Sequence, residues 1–113
     1  MKHNGKRTEP NWNVHPGEIL REEFLRPLGL SAYALAKAIR VPAPRLNDVV
    51  LEKRGISADT AVRLARFFGT SEQFWMNLQA LYDIRNTKAA LAGELQKIKP
   101  RCAPPSERKP IGS

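Results

Sequence analysis

The chain has 113 residues, enough for one domain with a single modest core. Its formal charge is +8, but residues 1–13 carry a net +2, residues 14–95 a net +2 and residues 96–113 a net +4. The single cysteine, Cys102, excludes an intrachain disulfide and a cysteine-based metal site. No apolar run approaches the roughly 18 residues of a membrane span, and the N-terminus has charge without an apolar core, so a cytoplasmic protein is expected.

Residues 1–13 are polar, with Gly5, Pro10 and the aromatic Trp12, and read as a flexible arm that docks loosely, if at all, through Trp12. The first helix is expected over 15–26. Pro16 suits its first position, because the missing N–H has no helical partner there. Ile19, Leu20 and Phe24 supply its inner face, and Pro27 with Gly29 is expected to end it.

Two short helices follow. The first, about Ser31 to Ile39, has Ser31 as N-cap and Leu35, Ala36 and Ile39 on one face. Ala36 is small where a crossing helix needs close approach. After Arg40, Val41 and Pro42 comes the second, about Ala43 to Glu52, with Leu46, Val49 and Val50 inward. Its opposite face carries Pro44, Arg45, Asn47, Asp48 and Leu51. This is the pattern of a helix-turn-helix, whose second helix enters the DNA major groove. Spacing alone also fits small helical domains that touch no DNA. Arg45 and Asn47 favour DNA, because arginine reads guanine and asparagine reads adenine through paired hydrogen bonds. Asp48 and Glu52 argue the other way, adding negative charge to that face.

A fourth helix begins near Ser57, with Ala61, Leu64, Ala65 and Phe68 apolar and Gly69 as its stop. A fifth is capped by Thr70 or Ser71. Phe74, Trp75, Leu78, Leu81 and Tyr82 form a wide stripe on it, and helical character is expected to about Lys99, before Pro100. Any part of that stripe that the core does not hide is a candidate dimer surface; all of it as core is the other reading. Residues 100–113 read as a disordered basic tail. Basic ends add salt-dependent attraction to phosphate, or remain solvated without a role.

Enzyme chemistry is not visible: no nucleophile elbow, P-loop or Gly-rich dinucleotide loop is present. His15, Glu18 and Glu22 share a helical face, the weak suggestion of a metal, but charged first turns look the same. Neither a metal nor a cofactor is expected.

The segments HPGEIL (15–20), ALAKAIRVP (34–42), KRGISADTAVRLARFFGTS (53–71) and FWMNLQALYDIRNTK (74–88) together resemble the HigA family of antitoxins. That family lies within the helix-turn-helix group named after the xenobiotic response element repressors. The resemblance covers roughly residues 14–90 and implies an all-α, five-helix, lambda-repressor-like domain over 14–99, with a C-terminal dimerisation helix at about 71–99. It implies a homodimeric autorepressor of a palindromic operator in its own promoter, and an antitoxin that neutralises a HigB/RelE-like mRNA endonuclease. Base-reading positions would be Ala43, Pro44, Arg45, Asn47 and Asp48. Backbone contacts would fall to Ser31, Tyr33, Lys37, Lys53 and Arg54, and dimer contacts to Phe74, Trp75, Leu78, Leu81 and Tyr82. Several positions depart from the family pattern, among them Pro42 and Pro44, which remove two backbone donors to phosphate. Ala32 replaces a frequent Gln. Arg40 replaces a Gly in the turn, with a strain on the order of 1 kcal/mol if φ is positive. Glu52 replaces a Gly after the second helix, which is therefore expected to run longer. A stand-alone regulator without a toxin, and an interaction module that no longer reads DNA, remain open alternatives.

Overall fold

The computed structural model describes residues 13–101; the arm up to Trp12 and the tail from Cys102 lie outside the described residues. Among the described residues every regular element is helical. We number them α1 (16–28), α2 (Ala32–Ile39), α3 (Ala43–Val50), α4 (Ala58–Phe68), α5 (Glu72–Ala90) and α6 (Ala92–Gln96). None is long and apolar enough to cross a membrane.

The first helix departs from expectation at both ends. His15 is its N-cap: the imidazole Nδ1 accepts the Gly17 N–H at 2.8 Å. Pro27 does not end it. The stretch Leu20–Leu25 is wound as a π-helix, with the Arg26 N–H donating to the Arg21 carbonyl five residues back. Normally a proline collides with the carbonyl four residues before it. The wider π turn just ahead of Pro27 relieves that conflict, and the helix continues to Leu28. Gly29, at φ 61°, then reverses the chain.

Serine caps recur where the sequence places them. Ser31 Oγ accepts from Ala34 N at 3.0 Å, Ser57 Oγ from Thr60 N at 3.3 Å and Ser71 Oγ from Phe74 N at 3.0 Å. Ser71, not Thr70, caps α5. The Thr70 hydroxyl instead accepts the indole N–H of Trp75 at 2.7 Å. That bond satisfies the polar edge of a ring with no exposed surface.

Leu20, Leu35, Leu46, Val49, Leu64 and Trp75 form the centre of the core. Phe24 sits between Trp75 and Phe68, at centroid distances of 5.0 and 4.8 Å. Trp75 is therefore a core residue and not a dimerisation surface, which corrects the sequence expectation. Tyr82 is half-buried, its ring 4.7 Å from His15 in edge-to-face geometry. Leu78 packs partly into the core. Asn13 also belongs to the folded unit, because its amide donates to the Tyr82 carbonyl at 3.2 Å and to Asn86 Oδ1 at 2.8 Å.

The C-terminal part of α5 extends away from this core. Helical character does not run unbroken to Lys99: α5 ends at Ala90, Leu91 (φ −100°, ψ 10°) interrupts it, and α6 ends at Gln96. Leu81, Ile84, Leu91, Leu95 and Ile98 are exposed along this extension.

A candidate DNA-reading surface on α3

The turn from α2 to α3 is built on Arg40, which adopts a left-handed conformation at φ 63°, ψ 46°. It closes α2 with two backbone bonds, Arg40 N to Lys37 O at 3.2 Å and Val41 N to Ala36 O at 3.0 Å. Glycine adopts this conformation without steric strain; an arginine does not. Arg63 of α4 supports the turn from outside, donating from Nη1 to the carbonyls of Ile39 at 2.9 Å and Arg40 at 3.2 Å.

Helix α3 is shorter than expected. It stops at Val50, and Glu52 takes φ 67° instead of extending it. Glu52 N donates to Val49 O and Lys53 N to Asp48 O, the paired bonds of a Schellman stop. Glu52 is also not part of the outer face of α3. Its carboxylate accepts from Arg21 Nη2 of α1 at 3.1 Å, and Arg21 Nη1 donates to the last α3 carbonyl, Val50 O, at 2.6 Å. The guanidinium thus caps the negative end of α3 and holds the acid there.

Gly17 sets the distance between α1 and α3. A Cβ at Gly17 would overlap the Val49 carbonyl oxygen, so only glycine permits this approach. Below α3, the Gln79 side chain accepts the Ile56 N–H at 2.6 Å and fills the space beside Gly55. Arg21, Arg63, Gln79 and the capping role of His15 are the supports that sequence reasoning missed. Their signals were an arginine or amide next to an apolar position and a histidine just before a helix-starting proline, and such residues have many other roles.

On this frame the proposed reading residues separate into groups. Tyr33, Ala43, Pro44 and Asn47 line one shallow depression on the surface. Lys37 continues it, its ammonium 5.6 Å from the centre of the Tyr33 ring. Ser31, Lys53 and Arg54 are exposed. Asp48 is half-buried and 3.9 Å from Arg54, so its charge is partly offset. Arg45 differs from the open face expected of it. It lies on the flank of α3, with Nη2 3.2 Å from Asp59 Oδ1 of α4. Asp59 also accepts from Arg63 Nε at 2.7 Å, and this bond, with both guanidinium charges, holds the carboxyl below its usual range.

His15 titrates below the ordinary histidine value because burial disfavours its charged form. Among the described residues no group of three His, Cys, Asp or Glu side chains is placed to hold a metal.

Two short helices joined by a tight turn, the second with a polar outer face and braced on three sides, form the arrangement of a helix-turn-helix DNA-binding regulator. The helix-turn-helix family profile matches residues 20–75. Virulence-associated protein I of Dichelobacter nodosus is 60% identical over 72 residues, covering 64% of this chain and 67% of that protein. Antitoxin HigA-1 of Vibrio cholerae is 32% identical over 87 residues, covering 77% and 82%. The structure of Pseudomonas aeruginosa antitoxin HigA with the higBA promoter superposes with a TM-score of 0.76 at 52% identity, covering 79% of this chain and 98% of that one. The chain belongs to the HigA family of helix-turn-helix antitoxins.

Proposed function

We propose that the protein is a homodimeric autorepressor that binds a palindromic operator in its own promoter and serves as the antitoxin of a RelE-type mRNA endonuclease. The observation that carries the DNA-binding part is the solved HigA–promoter complex at 52% identity over nearly the whole of that chain. The surface geometry supports it: Tyr33, Ala43, Pro44 and Asn47 face one open depression, and Lys37, Lys53 and Arg54 are exposed. Lysine and arginine neutralise phosphates and set register. Asn47 reads an adenine edge and Arg45 a guanine edge in the major groove. Ala43 and Pro44 pack against bases, and Asp48 accepts from a cytosine amino group. Ser31 caps the N-terminus of α2, whose first-turn N–H groups would approach phosphate in this reading. Glu52, engaged by Arg21, adds no charge to this face, which weighs against the interaction-module alternative.

Two copies joined through the exposed apolar residues of the C-terminal extension would present two α3 helices about 34–36 Å apart on one side of the duplex. Leu81, Ile84 and Leu91 supply that surface, with Phe74 at its near end.

A DNase footprint on DNA upstream of the gene tests the reading, at physiological salt. Two protected half-sites about one helical turn apart support a dimeric autorepressor. No protection by the folded protein, alone or with the neighbouring gene product added, refutes it. Co-expression with that neighbouring product tests the antitoxin part: rescue of growth supports neutralisation, and a harmless neighbour favours a stand-alone regulator. Lys53→Ala is expected to weaken all sequences alike and lower the salt slope by about 1.

A further inference from the structure

We infer that Asp59 is a positioning residue that sets base specificity by orienting the guanidinium of Arg45. This rests on the proposed reading of DNA by α3. Arg45 stands at the third position of α3, on its flank, and Asp59 in the first turn of α4 reaches it across the gap between the two helices. The chain of contacts is anchored in backbone. The carbonyls of Ile39 and Arg40 fix Arg63, Arg63 Nε fixes Asp59 Oδ1, and Asp59 Oδ1 accepts from Arg45 Nη2. A long, rotamer-rich side chain is thereby held in one orientation before any ligand arrives.

The edge used matters. The Arg45 contact to Asp59 is through Nη2, and Arg45 Nε is buried without a hydrogen-bond partner among the described residues. Nε and Nη2 share one edge of the guanidinium plane. A carboxylate on that edge leaves the paired N–H groups of Nη1 and Nη2 directed outward, the pair that bonds guanine O6 and N7. Asp59 thus contributes nothing to phosphate attraction, and its own charge opposes phosphate. Its effect is to raise the preference for one base pair while lowering affinity for DNA in general.

The experiment measures affinity for the operator and for single-base variants of it, by fluorescence anisotropy at fixed salt. The proteins are wild type, Arg45→Ala, Asp59→Ala, Asp59→Asn and the double variant Arg45→Ala/Asp59→Ala, with thermal unfolding recorded for each. In the wild type, a bidentate arginine–guanine pair provides roughly 5- to 150-fold discrimination at its base pair. Asp59→Ala is expected to lose most of that discrimination at the same base pair that Arg45→Ala affects, and to bind unrelated DNA more tightly. Asp59→Asn keeps one acceptor oxygen and is expected to retain part of the discrimination. In the double variant, loss of Asp59 changes base preference no further. If Asp59→Ala weakens every sequence by one factor, or its effect adds fully to that of Arg45→Ala, Asp59 has only a structural role and the inference fails while the reading by α3 stands. If Arg45→Ala leaves base preference unchanged, the reading of guanine by Arg45 fails and the role of Asp59 falls with it.

Discussion

Gly17→Ala isolates the contact that holds α3 against the rest of the domain. Gly17 lies in the first turn of α1, and a methyl group there would overlap the Val49 carbonyl oxygen and approach its carbon to 3.0 Å. The obstacle is backbone within α3, which cannot rotate aside as a flexible side chain would. The two helices must therefore separate, loosening the packing of the fully buried Leu20 and of Val49. Overpacking of this kind costs about 1–3 kcal/mol. The methyl group would also approach His15 Nδ1 to 3.1 Å, straining the bond that this nitrogen accepts from the Gly17 N–H. Loss of an N-cap costs roughly 0.5–2 kcal/mol. Together these effects predict a loss of about 2–4 kcal/mol. At roughly 4–8 °C per kcal/mol for a domain of this size, Tm should fall by about 8–32 °C. The assay is thermal unfolding followed by circular dichroism at pH 7.5. Gly93→Ala is the control: a Cβ there meets nothing within 4 Å, and in a helix it is expected to be neutral or stabilising by up to about 1 kcal/mol. A Gly17→Ala protein within a few degrees of wild type would refute the argument that this glycine sets the distance between α1 and α3.

Three further perturbations follow from the same frame. His15 has its proton affinity lowered by folding, so the unfolded chain binds more protons at mildly acidic pH. Its contribution is complete above the unfolded value near 6.5 and is lost as pH falls below that toward the lowered folded value; urea unfolding from pH 8 to 5 should show this loss, and the slope should shrink in His15→Asn. Gln79→Leu leaves the partly buried Ile56 N–H without its acceptor, and should cost about 1–3 kcal/mol in the urea midpoint. Arg40→Gly relieves a left-handed strain of about 1–2 kcal/mol while adding freedom to the unfolded chain worth about 0.4–1 kcal/mol. A small rise in Tm is therefore expected, and a fall would show that the Arg40 side chain contributes more than its backbone conformation costs.

The number and order of the first five helices were legible in the sequence because they depend on local chemistry. Apolar spacing, three serine caps and Gly69 are features of neighbouring residues, and each of them holds in the structure. So was the surface of α3, since Leu46, Val49 and Val50 had to turn inward together and therefore sent Pro44 and Asn47 outward. What depended on partners distant in the chain was not legible. Glu52 looked like unfavourable charge on the reading face until Arg21 of α1 took it away. Arg45 looked freely exposed until Asp59, fourteen residues further on, held it to one side. Trp75 was a candidate surface for a second copy because its stripe is large for so small a core; Phe24 and Phe68 pack against it inside that core. Pro27 looked like a helix end because a proline disrupts regular α-helix, and only a π turn in the preceding residues accommodates it. Periodicity reports which face of a helix is buried, whereas charge pairing and close approach are set by what folding brings opposite that face.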